Sequence, residues 1–304
     1  MNVKSQFSIR DLENLSGVKA HTIRIWEKRY ELLSPKRTAT NIRSYDIVSL
    51  KKLLNVTFLY NDGHKISKIA RLSENEILQL VEDKSVVSKR EYSTKIFKTA
   101  MFDFDEALFL TTSDDYISEK SFPEIFFEVF IPLLTDIGVL WQTGAISPTH
   151  ESFISELIKQ KIISNIEKAQ KDFTKEDETL FVLFLPYNEI HEIGLLYAKY
   201  ELILAGFKTV YLGANTPLNS LKEVVNLNDK VIFLSYITLK PEGMTINNYI
   251  ESFQNAVSLK DGNCDLWLLG NKAQMTNQHK ITSKVEILDN LLHFNKRLKE
   301  LKNN

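Results

Sequence analysis

Cysteine is nearly missing from this sequence. Cys264 is its one example among 304 residues, which excludes an internal disulfide and any zinc cage built from several thiolates. Long apolar runs are missing as well: no stretch approaches the ~18 residues a membrane-spanning helix needs. The opening Met1-Asn2-Val3-Lys4-Ser5-Gln6 is too polar for a signal peptide. The phosphate-cradling patterns G-x-G-x-x-G and G-x-x-x-x-G-K-[ST] are absent, which disfavours nucleotide-dependent enzymes. No nucleophile–base pair stands out, so no catalytic residue is assigned and no enzyme is expected. Together these absences predict a cytoplasmic protein without a membrane partner.

What is present is ordinary globular material, 43% hydrophobic and 25% charged, in a length that suits two or three domains. The net charge of −1 is unevenly spread. Residues 1–75 hold 14 Lys/Arg against 7 Asp/Glu, a surplus of +7 that leaves −8 on the remainder. A basic head on an acidic body directs a polyanion to the head alone.

Within the head, Phe7-Ser8-Ile9-Arg10-Asp11-Leu12 opens a helix, with Ser8 as N-cap and Asp11 three residues on. Ile9, Leu12 and Leu15 form its apolar face, and Gly17 supplies the positive φ that ends it. A second helix is predicted from about Lys19 to Tyr30. Ile23 and Trp26 face inward, leaving His21, Thr22, Arg24, Lys28 and Arg29 on or near the outer face. Two short helices joined by a glycine-containing turn form a helix-turn-helix, whose second helix enters a major groove. The stretch Leu33 to Tyr45 is a cationic hairpin, or wing, from which Arg37 and Arg43 reach phosphates. A helix from Asp46 to about Tyr60 and a short one from near Ile66 follow.

Three motifs in this head, Ile25-Trp26-Glu27-Lys28-Arg29-Tyr30, Leu33-x-Pro35-x-Arg37-Thr38 and Arg43-x-Tyr45, carry a resemblance. Residues 7–75 resemble the winged helix-turn-helix of MerR-family transcriptional regulators. The resemblance implies a double-stranded DNA operator as partner. It implies contacts from His21, Thr22, Arg24, Lys28, Arg29, Tyr30, Arg37, Thr38, Arg43 and Tyr45.

From Glu76 to about Asp172 the pattern is helical, interrupted by Pro123, Pro132 and Pro148. Segments near 76–84, 88–100, 103–112, 122–140 and 149–170 suggest a bundle of about four helices. Phe122, Phe126, Phe127, Phe130, Leu133 and Leu134 are its bulky core candidates. The segment from Trp141 to Ser152 is similar to the cap of cobalamin-binding MerR-type photoreceptors, the CarH/LitR group. There a Trp is followed ten residues later by a Glu-His pair. The resemblance implies that Trp141 and Glu151 line the pocket above the corrin. The chain departs at Gln142, where light-sensing members carry a His, and at Ser152, where the His of the pair belongs. His150 matches neither position. Lys171 to Glu178 is a charged linker, which predicts domains at 1–75, 76–175 and 176–304.

Beyond the linker, apolar runs at Leu180–Leu185, Thr209–Leu212, Val231–Leu234, Leu266–Leu269 and Val285–Leu288 read as strands. They alternate with helices near 195–205, 218–226, 245–258, 271–278 and 289–301. Five such units fit a flavodoxin-like, Rossmann-type parallel sheet covered on both faces. After the first strand, Glu189-x-His191-x-x-Gly194 resembles the Asp-x-His-x-x-Gly signature of domains that bind cobalamin base-off. The resemblance makes His191 the lower cobalt ligand, oriented by the Glu189 carboxylate. Gly194 would let the backbone approach the displaced nucleotide tail, and Ser235 and Gly270 would line its path. Asn271 stands where the family has a second glycine.

The expected fold is thus multidomain α and α/β: an N-terminal winged helix-turn-helix, a central four-helix bundle cap, and a C-terminal five-stranded parallel sheet. The resemblance implies a transcriptional regulator whose oligomerisation, as dimer or tetramer, and operator binding are controlled by adenosylcobalamin or methylcobalamin. In the photoreceptor group light is a further input. Two alternatives stand beside this. One is a MerR-type regulator whose sensor no longer holds cobalamin, which Gln142, Ser152 and Asn271 favour. The other is a corrinoid-carrying methyltransferase or mutase subunit, which the basic wing disfavours.

Overall fold

The computed structural model describes residues 6–38, 40–84, 89–175, 177–241, 243–257, 264–276 and 282–302, with side chains from 82–91 and 226 set aside. The chain forms two compact units, 1–158 and 159–304.

The first unit begins with β1 (Gln6–Phe7), α1 (Ile9–Ser16) and α2 (Ala20–Tyr30). Ser8 and Asp11 close a reciprocal capping box on α1, and Gly17 at φ 74° ends it, so local sequence sets both ends. The wing is β2 (Lys36–Arg37) and β3 (Arg43–Asp46), and β3 also pairs with β1 in the order β1-β3-β2. Next come α3 (Ile47–Asn61), α4 (Ile66–Ile69) and α5 (Glu74–Lys84). Ile23 and Trp26 are buried as expected, and the Trp26 ring meets Tyr60 of α3 edge-on at 5.2 Å. This fastens α2 to the domain and leaves its other face outward.

The bundle comprises α6 (Lys89–Asp103), α7 (Glu106–Ile117), α8 (Phe122–Ile125), α9 (Ile131–Gln142) and α10 (Pro148–Lys171). Phe97 anchors its core, 4.8 Å from Phe109 and 6.0 Å from Phe130. The single helix expected over 122–140 is interrupted by a π-turn at Phe126–Phe130. Pro132 explains it. Proline has no N–H to donate and its ring crowds the carbonyl four residues back, so the turn before it widens. Accordingly Ile131 N–H donates to Phe126 O.

The second unit runs β4 (Leu180–Phe184), α11 (Ile193–Leu204), β5 (Lys208–Gly213), β6 (Val231–Tyr236), α12 (Ile246–Ala256), β7 (Cys264–Leu269), β8 (Val285–Ile287) and α13 (Leu291–Lys302). All five strands are parallel, in the order β5-β4-β6-β7-β8. Every residue of β4 is buried, as a central strand covered on both faces requires. Two predicted helices differ. Leu218–Leu227 is wound as a 3₁₀ helix, consistent with its Asn residues and adjacent Val224 and Val225, which weaken the α form. The helix expected at 271–278 is one 3₁₀ turn, Ala273–Met275, and its last two positions lie outside the described residues. The strand order reverses at β4, between β5 and β6. There the connections leave toward opposite faces and open a crevice at the strands' carboxyl ends, where such sheets bind ligands.

Candidate DNA interface and cofactor site

The crevice is formed by the loops after β4 and β6. Glu189 lies in the first and is 2% exposed. Its Oε2 accepts the backbone N–H groups of Thr238 at 2.7 Å and Leu239 at 2.8 Å. Its Oε1 accepts the N–H groups of Ile190 and His191, both at 3.1 Å. One carboxylate therefore ties the two loops together. Burial alone would raise the Glu189 carboxyl. Hydrogen bonds from the His191 ring and from the N–H groups of Leu239, Thr238 and His191 overcome this and hold it down to about 2, so Glu189 is charged.

The His191 ring is half-exposed. Its Nδ1 is 2.6 Å from Glu189 Oε1 and 2.7 Å from Thr238 Oγ1. A charged carboxylate can only accept, so Nδ1 carries the hydrogen, which leaves the lone pair of a neutral ring on Nε2. This arrangement orients a metal-ligating imidazole and raises its basicity. Among the described residues no three His, Cys, Asp or Glu side chains converge on a metal position. A single imidazole suits a metal that brings its other ligands with it, as cobalt does in a corrin.

Other features of the crevice bear on that fit. Ser235, at the end of β6, is fully buried and its Oγ has no hydrogen-bond partner. A buried hydroxyl left unpaired is destabilising unless something completes it. Tyr187, Ile190 and Leu239 on the same two loops are exposed apolar side chains, suited to the underside of a flat ring. The imidazole, the orphan hydroxyl and the apolar rim thus fit a corrinoid. Gly194 is in place at the start of α11, but a Cβ there would fall 2.5 Å from the Tyr236 ring, so that ring already fills the space above it. Gly270, at φ 101°, lets the loop after β7 meet the Ile237 carbonyl, 2.3 Å from where its Cβ would stand. Its visible task is to join the β6 and β7 loops, with Lys272 N–H donating to Ile237 O at 3.2 Å.

On the bundle, Trp141 is 46% exposed at the end of α9, and Glu151 is half-buried in the first turn of α10. Gln142 and Ser152 are exposed. His150 is 1% exposed, stacked on Phe104 at 5.1 Å and edge-on to Phe102 at 5.4 Å. Its Nδ1 accepts the Ser147 N–H at 3.3 Å, closing the start of α10 much as a capping-box acid would. His150 is a packing residue.

In the head, His21, Arg24, Lys28 and Arg29 are exposed on α2, with Thr22 and Tyr30 partly so. Arg37 and Thr38 are exposed on the wing, where Arg37 Nη1 donates to Asn41 Oδ1 at 2.7 Å. Arg43 and Tyr45 differ from expectation. Arg43 Nε is 2.9 Å from Glu27 Oε2, so its charge is already countered. Tyr45 is 1% exposed and donates its hydroxyl to the same carboxylate. Burial and that acceptor push its pKa above the usual phenol range. Both residues brace the wing against α2 through Glu27, and Tyr45 supports the surface from beneath. Glu27 and Thr238 are the site residues the sequence did not assign. Glu27 lay inside a quoted motif, and Thr238 stands three residues after Ser235.

Residues 7–76 match the MerR HTH family regulatory proteins, and residues 95–163 match the B12 binding domain. The chain is 27% identical over 229 residues to the HTH-type transcriptional repressor CarH of Myxococcus xanthus, covering 72% of this chain and 74% of CarH. It is 24% identical over 233 residues to the HTH-type transcriptional repressor CarA of Myxococcus xanthus, covering 75% of this chain and 76% of CarA. A monomethylamine corrinoid protein of Methanosarcina barkeri shares the fold, with TM-score 0.55 and 14% identity over 67% of this chain and 96% of that one. Among the described residues no helix is long and apolar enough to cross a membrane. With a MerR-type DNA-binding head and a B12-binding domain in that order, this chain is similar to the CarH and CarA transcriptional repressors.

Proposed function

We propose that a cobalamin, adenosylcobalamin or methylcobalamin, held base-off on His191 controls how protomers of this regulator assemble and so how tightly they hold operator DNA. The observation that carries this reading is the His191 ring held at the sheet's switch point by the charged, buried Glu189. When bound, the cofactor would supply a cobalt able to exchange or lose a ligand. His191 would present Nε2 to that cobalt, and Glu189 and Thr238 would hold the ring's tautomer. Ser235 would take its missing hydrogen bond from the displaced tail. Trp141 and Glu151, on the bundle, are the further cofactor contacts that the resemblance implies. The division of labour is DNA contact by 1–75, capping by 76–175 and cofactor binding by 176–304, in a cytoplasmic protein.

Assembly matters through effective concentration. Once one head of a dimer or tetramer is seated, a second on a paired half-site faces a local concentration near the millimolar range, without any new contact. Disassembly alone then releases DNA. Exposed Arg24, Lys28, Arg29 and Arg37 supply the salt-dependent phosphate contacts. Gln142 in place of the photoreceptors' His favours control by ligand occupancy over control by light.

The test is corrinoid absorbance retained by the purified protein after desalting and lost in His191→Ala. If adenosylcobalamin and methylcobalamin leave both the spectrum and the operator affinity unchanged, the reading fails. A sensor without cobalamin is then the better account, and Tyr236 over Gly194 is the observation that favours it.

A further inference from the structure

We infer that Ile25 is a specificity-determining residue of α2, reading the methyl group of a thymine in the major groove of the operator. The inference rests on the reading of residues 1–75 as the part that contacts DNA, and deepens it.

The helix α2 buries Ile23 and Trp26. At about 100° per residue, the face opposite that pair holds His21, Arg24, Ile25 and Lys28, with Arg29 at its margin. Ile25 stands one turn after His21 and one turn before Arg29, inside this cationic face. It is 51% exposed, whereas Ile23, the other isoleucine of the helix, is completely covered. The two flanking side chains are engaged elsewhere. His21 Nε2 lies 3.3 Å from Thr22 Oγ1, and the Arg29 guanidinium lies over the Tyr30 ring at 5.7 Å.

Neither packing nor helix formation accounts for an isoleucine at this position. Half its surface faces water, and a β-branched side chain is a weaker helix former than the straight-chain residues that suit an exposed helix face. A single exposed apolar side chain is ordinary on most surfaces. This one is placed where Arg24, Lys28 and Arg29 draw a polyanion over it. Isoleucine has no donor or acceptor, so it cannot read the polar edges of a base pair. Among the groups that base pairs present in the major groove, the apolar one is the thymine C5-methyl. Against any other pair Ile25 would strip water from amino and carbonyl groups and return no hydrogen bond. The cations therefore position α2 without reading sequence, and Ile25 adds a preference for thymine at one place in each half-site.

The test begins with the full-length chain, with and without adenosylcobalamin, selecting from a random duplex library about three helical turns long. In the selected duplex each thymine is then replaced by uracil, one at a time, which removes the methyl group and nothing else. Wild type is expected to lose about fourfold in affinity at one thymine of the half-site, the worth of one buried methyl. Ile25→Ala, at a position outside the core, should respond to that swap by less than about 1.5-fold. Ile25→Val, which keeps a branched apolar tip, should retain the penalty. Because no cation is lost, the salt slope of both variants should match that of wild type. Uracil penalties that are the same in wild type and Ile25→Ala overturn the inference. A change of oligomeric state in Ile25→Ala without a change of base preference also overturns it, since Ile25 would then serve contact between copies of the chain. If duplexes bind but no sequence is enriched, the inference falls and the DNA-binding head stands. If no duplex binds in either ligand state, both fall.

Discussion

Replacing Glu189 by glutamine tests the centre of the site by the removal of one negative charge. The carboxylate receives two backbone N–H groups on each oxygen, from Ile190 and His191 on one and from Thr238 and Leu239 on the other. An amide offers one oxygen. Whichever side its NH₂ occupies, a donor is set against two backbone donors, and each buried N–H deprived of its acceptor costs ~1–3 kcal/mol. The expected loss is thus about 3 kcal/mol. The depressed carboxyl leads to a similar figure. Burial raises the carboxyl, but the bonds from the His191 ring and from the N–H groups of Leu239, Thr238 and His191 prevail and lower it from 4.5 to about 2. That difference corresponds to about 3 kcal/mol.

The sign follows from a depressed acid. The contribution is fully present above about pH 4.5 and is lost as pH falls through about 2. Urea unfolding of wild type and Glu189→Gln should differ by about 3 kcal/mol near neutral pH, with the gap narrowing by about 1 kcal/mol near pH 3.5. A gap below about 1 kcal/mol at neutral pH, or one that does not change with pH, would refute the charged, fully bonded Glu189 described here.

Two further outcomes follow from single side chains. Arg37→Ala removes an exposed wing cation and should weaken binding to all DNA sequences alike, lowering the magnitude of the log–log salt slope by about 1; an unaltered slope in a filter-binding or anisotropy titration would remove Arg37 from the interface. Ser235→Ala should leave the free protein as stable as wild type or slightly more so, because its hydroxyl has no partner there. The same variant should weaken cobalamin roughly fivefold to tenfold, and equal affinities in a binding titration would show that the hydroxyl never meets the ligand.

Features set by near neighbours were legible in the sequence. Ser8, Asp11 and Gly17 mark the ends of α1 through residues three to nine positions apart, and the structure has that capping box and left-handed glycine. The strands followed from unbroken apolar runs, because a strand covered on both faces has no polar side to show. His191 and Glu189 lie two positions apart, so their pairing could be expected from the motif. What could not be read is what depends on distant chain. Thr238 meets the Glu189 carboxylate across 49 positions, and Arg43 meets Glu27 across 16. Tyr45 looked like a wing residue of the interface because strand position was visible and burial was not. His150 matched neither motif position, and Ser147-x-x-His150 has the spacing of a capping box, a signal for the role it has.

The two-residue strand β1 has an effect out of proportion to its length. Its backbone pairs Phe7 with Tyr45 of the wing strand, while the Phe7 ring packs edge-on against Phe102 of α6 at 5.7 Å. Further along the same helix, Tyr92 meets Phe58 of α3 at 6.1 Å, Lys95 lies over the Phe58 ring, and Asp103 pairs with Lys51. The head is therefore not a bead that can be unclipped at the end of its basic stretch. A chimera cut at residue 75 would bare an apolar strip along α3 and leave Phe7 without its partner ring, inviting self-association before any operator is met. A transplant that carries α6 along keeps that strip covered. The workable seam for building hybrid regulators from this chain lies past Asp103, well inside what composition alone would assign to the sensor.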